Sequence, residues 1–189
     1  MSKKDIVVEI ARNLFSKYGY KKVSMDEVAK GAGVTKKTIY TYFKDKESMF
    51  KYFIDEELQI MKDELEKLEK SDLSFAEYVS KGIHYMVDYT NKSDLFKGIK
   101  NSINQYEDNA FVKIYETEII NYIESKINDA IKSKKINNCD SHLVAFILYK
   151  VYVAILFEYD RDINHDIVIN DITSIIENRL CCKGDNDEK

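Results

Sequence analysis

Proline and tryptophan are absent from the 189 residues, and only six glycines occur. Folds built from sheets and tight turns use glycine and proline at many corners, so their scarcity favours long helices joined by short loops. The chain also pairs 26 lysines with three arginines. A·T-rich coding produces that same bias, with Ile and Asn enriched and Pro depleted, so the missing proline supports helix only in part. Three cysteines (Cys139, Cys181, Cys182) are an odd count without paired spacing, which excludes a disulfide framework and fits a reducing cytosol. His84, His142 and His165 stand far apart without C-x-x-C or H-x-x-x-H company, so no metal and no cofactor is expected. No His, Cys and acid combination has catalytic spacing; no catalytic residue is expected, and the chain does not read as an enzyme.

Long apolar runs are also missing. The start, MSKKDIVVEIARNLF, is charged again at Asp5, Glu9 and Arg12 and lacks the apolar core of a signal peptide. Leu143 to Phe157 is apolar nearly all round, yet it is shorter than the ~20 residues of a membrane span and carries Lys150 in its middle. A cytoplasmic protein with no membrane partner is expected.

What is present is a charge asymmetry. The formal net charge is −4, which by itself argues against nucleic acid. Residues 1–50 hold 11 Lys/Arg against 6 Asp/Glu, a net +5, and the remaining 139 residues hold 18 against 27, a net −9. A basic head sits on an acidic body.

The apolar spacing predicts an all-α chain of about nine helices, with no strand alternation. The expected helices span residues 4–18, 25–31, 35–43, 45–70, 73–91, 94–106, 110–134, 141–159 and 164–180. In the first, Ile6, Ile10, Leu14 and Phe15 fall on one face, and Gly19 follows as a C-cap. Ser24-Met25-Asp26-Glu27 has the form of a capping box.

The informative stretch runs from Val28 to Tyr40, VAKGAGVTKKTIY. Two short helices meeting steeply need a small residue, Ala29, where backbones touch, and a turn residue tolerant of positive φ, Gly33. Val34, Ile39 and Phe43 then give the second helix an apolar face. That is the helix-turn-helix arrangement, whose second helix enters the DNA major groove. Lys36, Lys37, Tyr40, Thr41 and Lys44 remain for its outer face, with no acid from Thr35 to Lys44. Lysines there can reach guanine acceptors or phosphates, and hydroxyls can reach phosphates.

From Ile10 to Phe50, A-x-x-LF-x-x-x-GY followed by VSMDEVAKGAGVTKKTIYTYFKDKESMF resembles the N-terminal DNA-binding domain of TetR-family transcriptional regulators. The resemblance is close over the first 50 or so residues and extends to the rest only in length and helical pattern. It implies a DNA-binding domain over residues 1–47 and a ligand-binding and dimerisation domain over 48–182, while the polar composition of the tail over 183–189, KGDNDEK, predicts disorder there. It also implies that Lys36, Lys37 and Tyr40 face base edges, while Ser24, Thr35, Thr38, Tyr42 and Lys46 anchor phosphates. Lys37 departs from the small residue often found at that place. For Tyr40 and Tyr42 the alternative is packing of each ring beside Phe43, with only the hydroxyl reaching DNA.

The implied assembly is a homodimer on a palindromic double-stranded operator, released by a small-molecule effector. The last two helices offer apolar residues for the dimer interface: Phe146, Val153, Phe157, Val168, Ile172 and Ile175. Tyr85, Tyr89, Tyr115, Phe146 and Tyr149 are candidates for the ligand pocket, with core packing as the other use for each. The competing functions are a constitutive DNA-binding protein without effector and an all-α small-molecule enzyme.

Overall fold

A computed structural model describes residues 1–102, 110–158 and 165–180, with side chains at 1–100, 115–156 and 166–180. Among the described residues there are nine α-helices and no strand. They are α1 (Lys3–Lys22), α2 (Met25–Ala32), α3 (Lys36–Tyr40), α4 (Lys46–Glu69), α5 (Phe75–Lys92), α6 (Asp94–Ser102), α7 (Ala110–Lys132), α8 (Ser141–Val153) and α9 (His165–Arg179), and α8 runs on into a π-helical turn, Ala154–Glu158.

Short polar side chains start most of these helices by occupying the orphan N–H groups of the first turn. Reciprocal capping boxes join Ser2 with Asp5, Ser24 with Glu27, and Ser74 with Glu77. At α4 the Ser48 N–H donates to Asp45 Oδ1 at 2.7 Å, and the Asp45 N–H donates to Ser48 Oγ at 3.1 Å. Thr35 and Asp140 cap α3 and α8.

Packing divides the chain into two compact units, Met1–Glu64 with Asp88–Asn104, and Leu65–Val87 with Gln105–Lys189. These units are defined by contacts, so their borders fall inside α4 and α5 and not at the boundary after residue 47 expected on functional grounds. Residues 183–189 lie outside the described residues.

In the first unit, α1 buries Val7, Ala11 and Phe15 completely. Of the expected face Ile6, Ile10, Leu14 and Phe15, Phe15 is fully buried and the other three are half-buried, the buried line running one residue further on through Val7 and Ala11. The reason is a close approach of α6: a Cβ on Gly98 would stand 2.6 Å from the Phe15 carbonyl oxygen and closer still to that of Ser16. Gly19 takes φ +73°, as its place in the sequence requires, but one further turn follows it to Lys22. Phe15 meets Phe50 and Phe53 edge-on, with centroids 5.1 and 6.0 Å apart.

Beside this aromatic cluster lies a charged hub. The Glu57 carboxylate, 5% exposed, accepts from Arg12 at 2.6 Å, Tyr89 Oη at 3.0 Å and Ser93 Oγ at 2.8 Å. Arg12 also donates to Glu56, and its guanidinium lies 4.9 Å from the Phe53 ring centroid. A buried carboxylate is tolerable only when paired in this way.

The second unit is held by aliphatic volume. Val79, Ile83, Ile120, Ile127, Ala145, Leu148, Val153, Ile169 and Ile176 form one continuous buried cluster from α5, α7, α8 and α9. Its ion pairs, among them Lys126–Glu69 at 2.6 Å and Lys150–Glu116 at 2.7 Å, lie nearer the surface. Among the described residues no helix is long and apolar enough to cross a membrane, and no group of three or more His, Cys, Asp or Glu could hold a metal ion.

Candidate nucleic-acid interface

The turn between α2 and α3 is closed by backbone hydrogen bonds. Gly33 adopts φ +64° and ψ 31°, its N–H donates to Lys30 O at 3.3 Å, and the Val34 N–H reaches back to Ala29 O at 3.0 Å. This is a Schellman ending, which needs a left-handed residue at the position Gly33 fills. Thr35 restarts the helix at once, its Oγ1 accepting from the Thr38 N–H at 3.2 Å.

α3 ends three residues earlier than the expected 35–43. The Thr41 hydroxyl donates to Thr38 O at 2.6 Å, and the Tyr42 N–H donates to Ile39 O at 2.9 Å, tightening the last turn out of α geometry. Ile39 is fully buried, Phe43 is nearly so, and Val34 is half-buried. The inner face is therefore the expected one.

The outer face carries Lys36, Lys37 and Tyr40, all exposed. Tyr40 and Tyr42 are 47% and 36% exposed, so much of each side chain is open to solvent, while Phe43 meets Tyr52 edge-on at 5.7 Å. Ser24 and Thr35 are also exposed, and Thr38 is half-buried with its Oγ1 2.9 Å from that of Thr35. Ser24 Oγ donates to Glu27 Oε2 at 2.8 Å, so the hydroxyl proton is already committed to the cap. Lys46 is half-buried, with Nζ 4.3 Å from the Tyr20 ring centroid and 3.4 Å from Lys21 O. Burial lowers its pKa from the usual lysine value, opposed by the charge of Glu27.

One contact at this face was invisible in the sequence. Lys36 Nζ donates to Asp26 Oδ2 at 2.9 Å, from the start of α3 to the first turn of α2. That hydrogen bond and the charge of Asp26 raise the Lys36 pKa above its ordinary value. Asp26 reads as a helix-start acid, and only the crossing of the two helices brings it to a residue ten positions away.

The other expected residues lie as follows among the described residues. Tyr89 belongs to the first unit, where it bonds Glu57 and lines an open groove of about 790 Å³ with Arg12, Lys92 and Lys97. Tyr115 and Tyr149 are buried in the second unit, Tyr85 is half-buried, and Phe146 is 40% exposed. A small cavity of about 80 Å³ in the second unit is lined by Leu68, Phe75, Tyr78 and Lys126, among others. Of the interface candidates, Phe146 and Ile175 (59%) are exposed, Val168 and Ile172 are half-buried, and Val153 is buried in the core of the second unit. Val153 stands on the Ala145–Tyr149 line of α8, which faces inward, whereas Leu143, Phe146 and Ile147 face out. The Phe157 side chain lies outside the described residues.

A tight glycine turn, a buried Ile39, and an acid-free outer face of lysine and tyrosine define a helix-turn-helix DNA-binding protein. The family model described as bacterial regulatory proteins, tetR family, matches residues 7–53. An uncharacterised HTH-type transcriptional regulator, YhgD of Bacillus subtilis (strain 168), is 33% identical over 170 residues, covering 85% of this chain and 86% of the relative. The chain belongs to the TetR family of transcriptional regulators. Its relatives are regulators of transcription and not enzymes. Among solved structures, a Clostridium perfringens candidate regulator of fatty acid metabolism is 27% identical with a TM-score of 0.63, covering 94% of this chain and 100% of the other. The regulator FadR of Bacillus subtilis in complex with stearoyl-CoA shares the fold, with a TM-score of 0.68 at 18% identity over 92% of this chain and 97% of that one.

Proposed function

We propose that the protein is an effector-responsive repressor, working in the cytoplasm as a homodimer on a palindromic operator, with residues 1–47 binding DNA and 48–182 sensing and dimerising. The observation that carries this reading is the outer face of α3, where Lys36, Lys37 and Tyr40 are exposed together with no acid on the helix. Lys36, Lys37 and Tyr40 read base edges. Ser24, Thr35, Thr38, Tyr42 and Lys46 hold phosphates, Ser24 and Lys46 after exchanging their present partners. Two copies of α3, held about 34–36 Å apart by a dimer, fit successive half-sites.

Dimerisation is supported by apolar surface. Leu143 (53% exposed), Phe146 (40%) and Ile147 (47%) share a face of α8 by their three- and four-residue spacing, and Ile167 and Ile175 (each 59%) share one on α9. An effector that prefers the conformation with wrongly spaced α3 helices releases the operator by shifting the population. The Clostridium perfringens neighbour, a candidate regulator of fatty acid metabolism, and the FadR neighbour with its bound stearoyl-CoA make fatty acids and their thioesters the first effectors to test.

The experiment begins with duplexes recovered by the purified protein from a random-sequence pool. Lys36→Ala and Tyr40→Ala are each expected to weaken the recovered duplex about tenfold, the scale of one good base contact. If neither does, α3 is not the recognition helix. Light scattering is expected to give a dimer for the wild type and a monomer for Phe146→Glu; a wild-type monomer would remove the paired-helix reading.

A further inference from the structure

We propose that Asp26 is a specificity-determining positioning residue, which holds Lys36 against α2 until a correctly placed DNA acceptor displaces it. The inference rests on the reading of α3 as the recognition helix. The pair is close, 2.9 Å, and superficial, the side chains being 72% exposed at Asp26 and 46% at Lys36. Such a pair is weak and exchanges readily.

Its effect on DNA follows from what replaces it. Between Thr35 and Lys44 the helix and its turn carry only positive charge, so α3 alone would attract any phosphate backbone. With Asp26 in place, Lys36 is already neutralised, and an arbitrary phosphate offers it nothing beyond the partner it has. Displacement also leaves the Asp26 carboxylate facing a polyanion. A guanine presenting O6 and N7 to Lys36, in register with contacts elsewhere on α3, can meet that cost. Asp26 therefore works as a repulsive element against wrong sites, weakening non-specific binding more than specific binding.

Four proteins (wild type, Asp26→Asn, Lys36→Ala and the double variant) are measured on the recovered duplex and on a scrambled duplex of equal length, across a salt series. Asp26→Asn is expected to tighten the scrambled duplex about five- to tenfold at low salt. Its plot of log K against log salt should steepen by about 0.9, the increment for one further neutralised phosphate. Affinity for the recovered duplex should change less than about threefold, so the preference between the two shrinks. In the Lys36→Ala background, Asp26→Asn should have no such effect.

A gain that persists without Lys36 would mean that Asp26 acts only through net charge, and the proposal falls. It falls equally if Asp26→Asn changes nothing, or if it weakens both duplexes while lowering the melting temperature, which is the behaviour of a lost helix-start acid. Lys36→Ala separates this from the underlying reading. Unchanged binding of the recovered duplex by that variant would remove the recognition role of Lys36 itself. A weakened duplex with no coupling to Asp26 would remove the proposal alone.

Discussion

The two compact units solve the same packing problem by different means. In the first, the backbone leaves particular positions to glycine: Gly98 against the Phe15 and Ser16 carbonyls, and Gly33 in a left-handed turn. In the second, large aliphatic side chains fill a core of Ile, Leu and Val from four helices. Close backbone approach accepts one residue type, whereas an aliphatic core accepts many combinations of similar volume. The recognition geometry sits in the unit that tolerates least change. This fits a family model that matches residues 7–53 and stops there.

The sharpest way to break this comparison is one methyl group on each side of it. Gly98→Ala places a Cβ 2.6 Å from a main-chain oxygen that cannot swing aside. It should cost about 3 kcal/mol, the upper end of overpacking penalties, because α6 must lift from α1. Ile127→Val, at a 1% exposed site of the second unit, should cost about 1 kcal/mol. Urea unfolding of both variants measures the difference. Equal costs would mean that α6 can relax, and that the first unit is no more tightly specified than the second.

Next in size is the charged hub. Glu57→Ala leaves Arg12, Tyr89 and Ser93 facing a gap and should cost about 2–3 kcal/mol, below the range for fully buried pairs because the Arg12 side chain is 32% exposed. Lys150→Met in the second unit removes a pair with side chains 41% and 24% exposed and should change stability by less than about 1 kcal/mol. A larger loss at Lys150 than at Glu57 would reverse the account of where polar contacts hold the protein together.

These contrasts also explain what could be read from the chain in advance. Helix starts were legible because caps are local: Ser24 with Glu27 and Thr35 with Thr38 lie three residues apart. The turn was legible because Gly33 has to be what it is. The inward face of α1 was legible at Phe15 but not at Val7 and Ala11, because Ile6–Ile10–Leu14 and Val7–Ala11 are parallel lines of equal periodicity, and the close approach of Gly98 on α6 lies far away in the chain. The Lys36–Asp26 pair and the Glu57 hub stayed hidden for the same reason, since their partners meet only in three dimensions. At Val153 an all-round apolar helix gave no sign of which side the core of the second unit would cover.

The smallest effect is an acid response of the helix starts. The pKa of Asp5 is lowered chiefly by the hydrogen bond from the Ser2 N–H, that of Glu27 by the Ser24 hydroxyl, and those of Asp45 and Glu77 by the backbone N–H groups of Ser48 and Ser74. Folded values below the unfolded ones mean that each cap contributes fully above the ordinary carboxylate values of 3.8 for Asp and 4.5 for Glu, and is lost as pH falls through the folded value. Three of the four caps belong to the first unit, at α1, α2 and α4, and one to the second, at α5. Amide exchange on lowering the pH from about 6 to about 3 should therefore lose protection in the first turns of those helices. The start of α3 is the internal control. Its cap is the hydroxyl of Thr35, which does not titrate, and no acid lies in its first turn. Protection there should persist while its neighbours fade, and loss in step with α1, α2 and α4 would show the first unit opening as a whole instead of cap by cap.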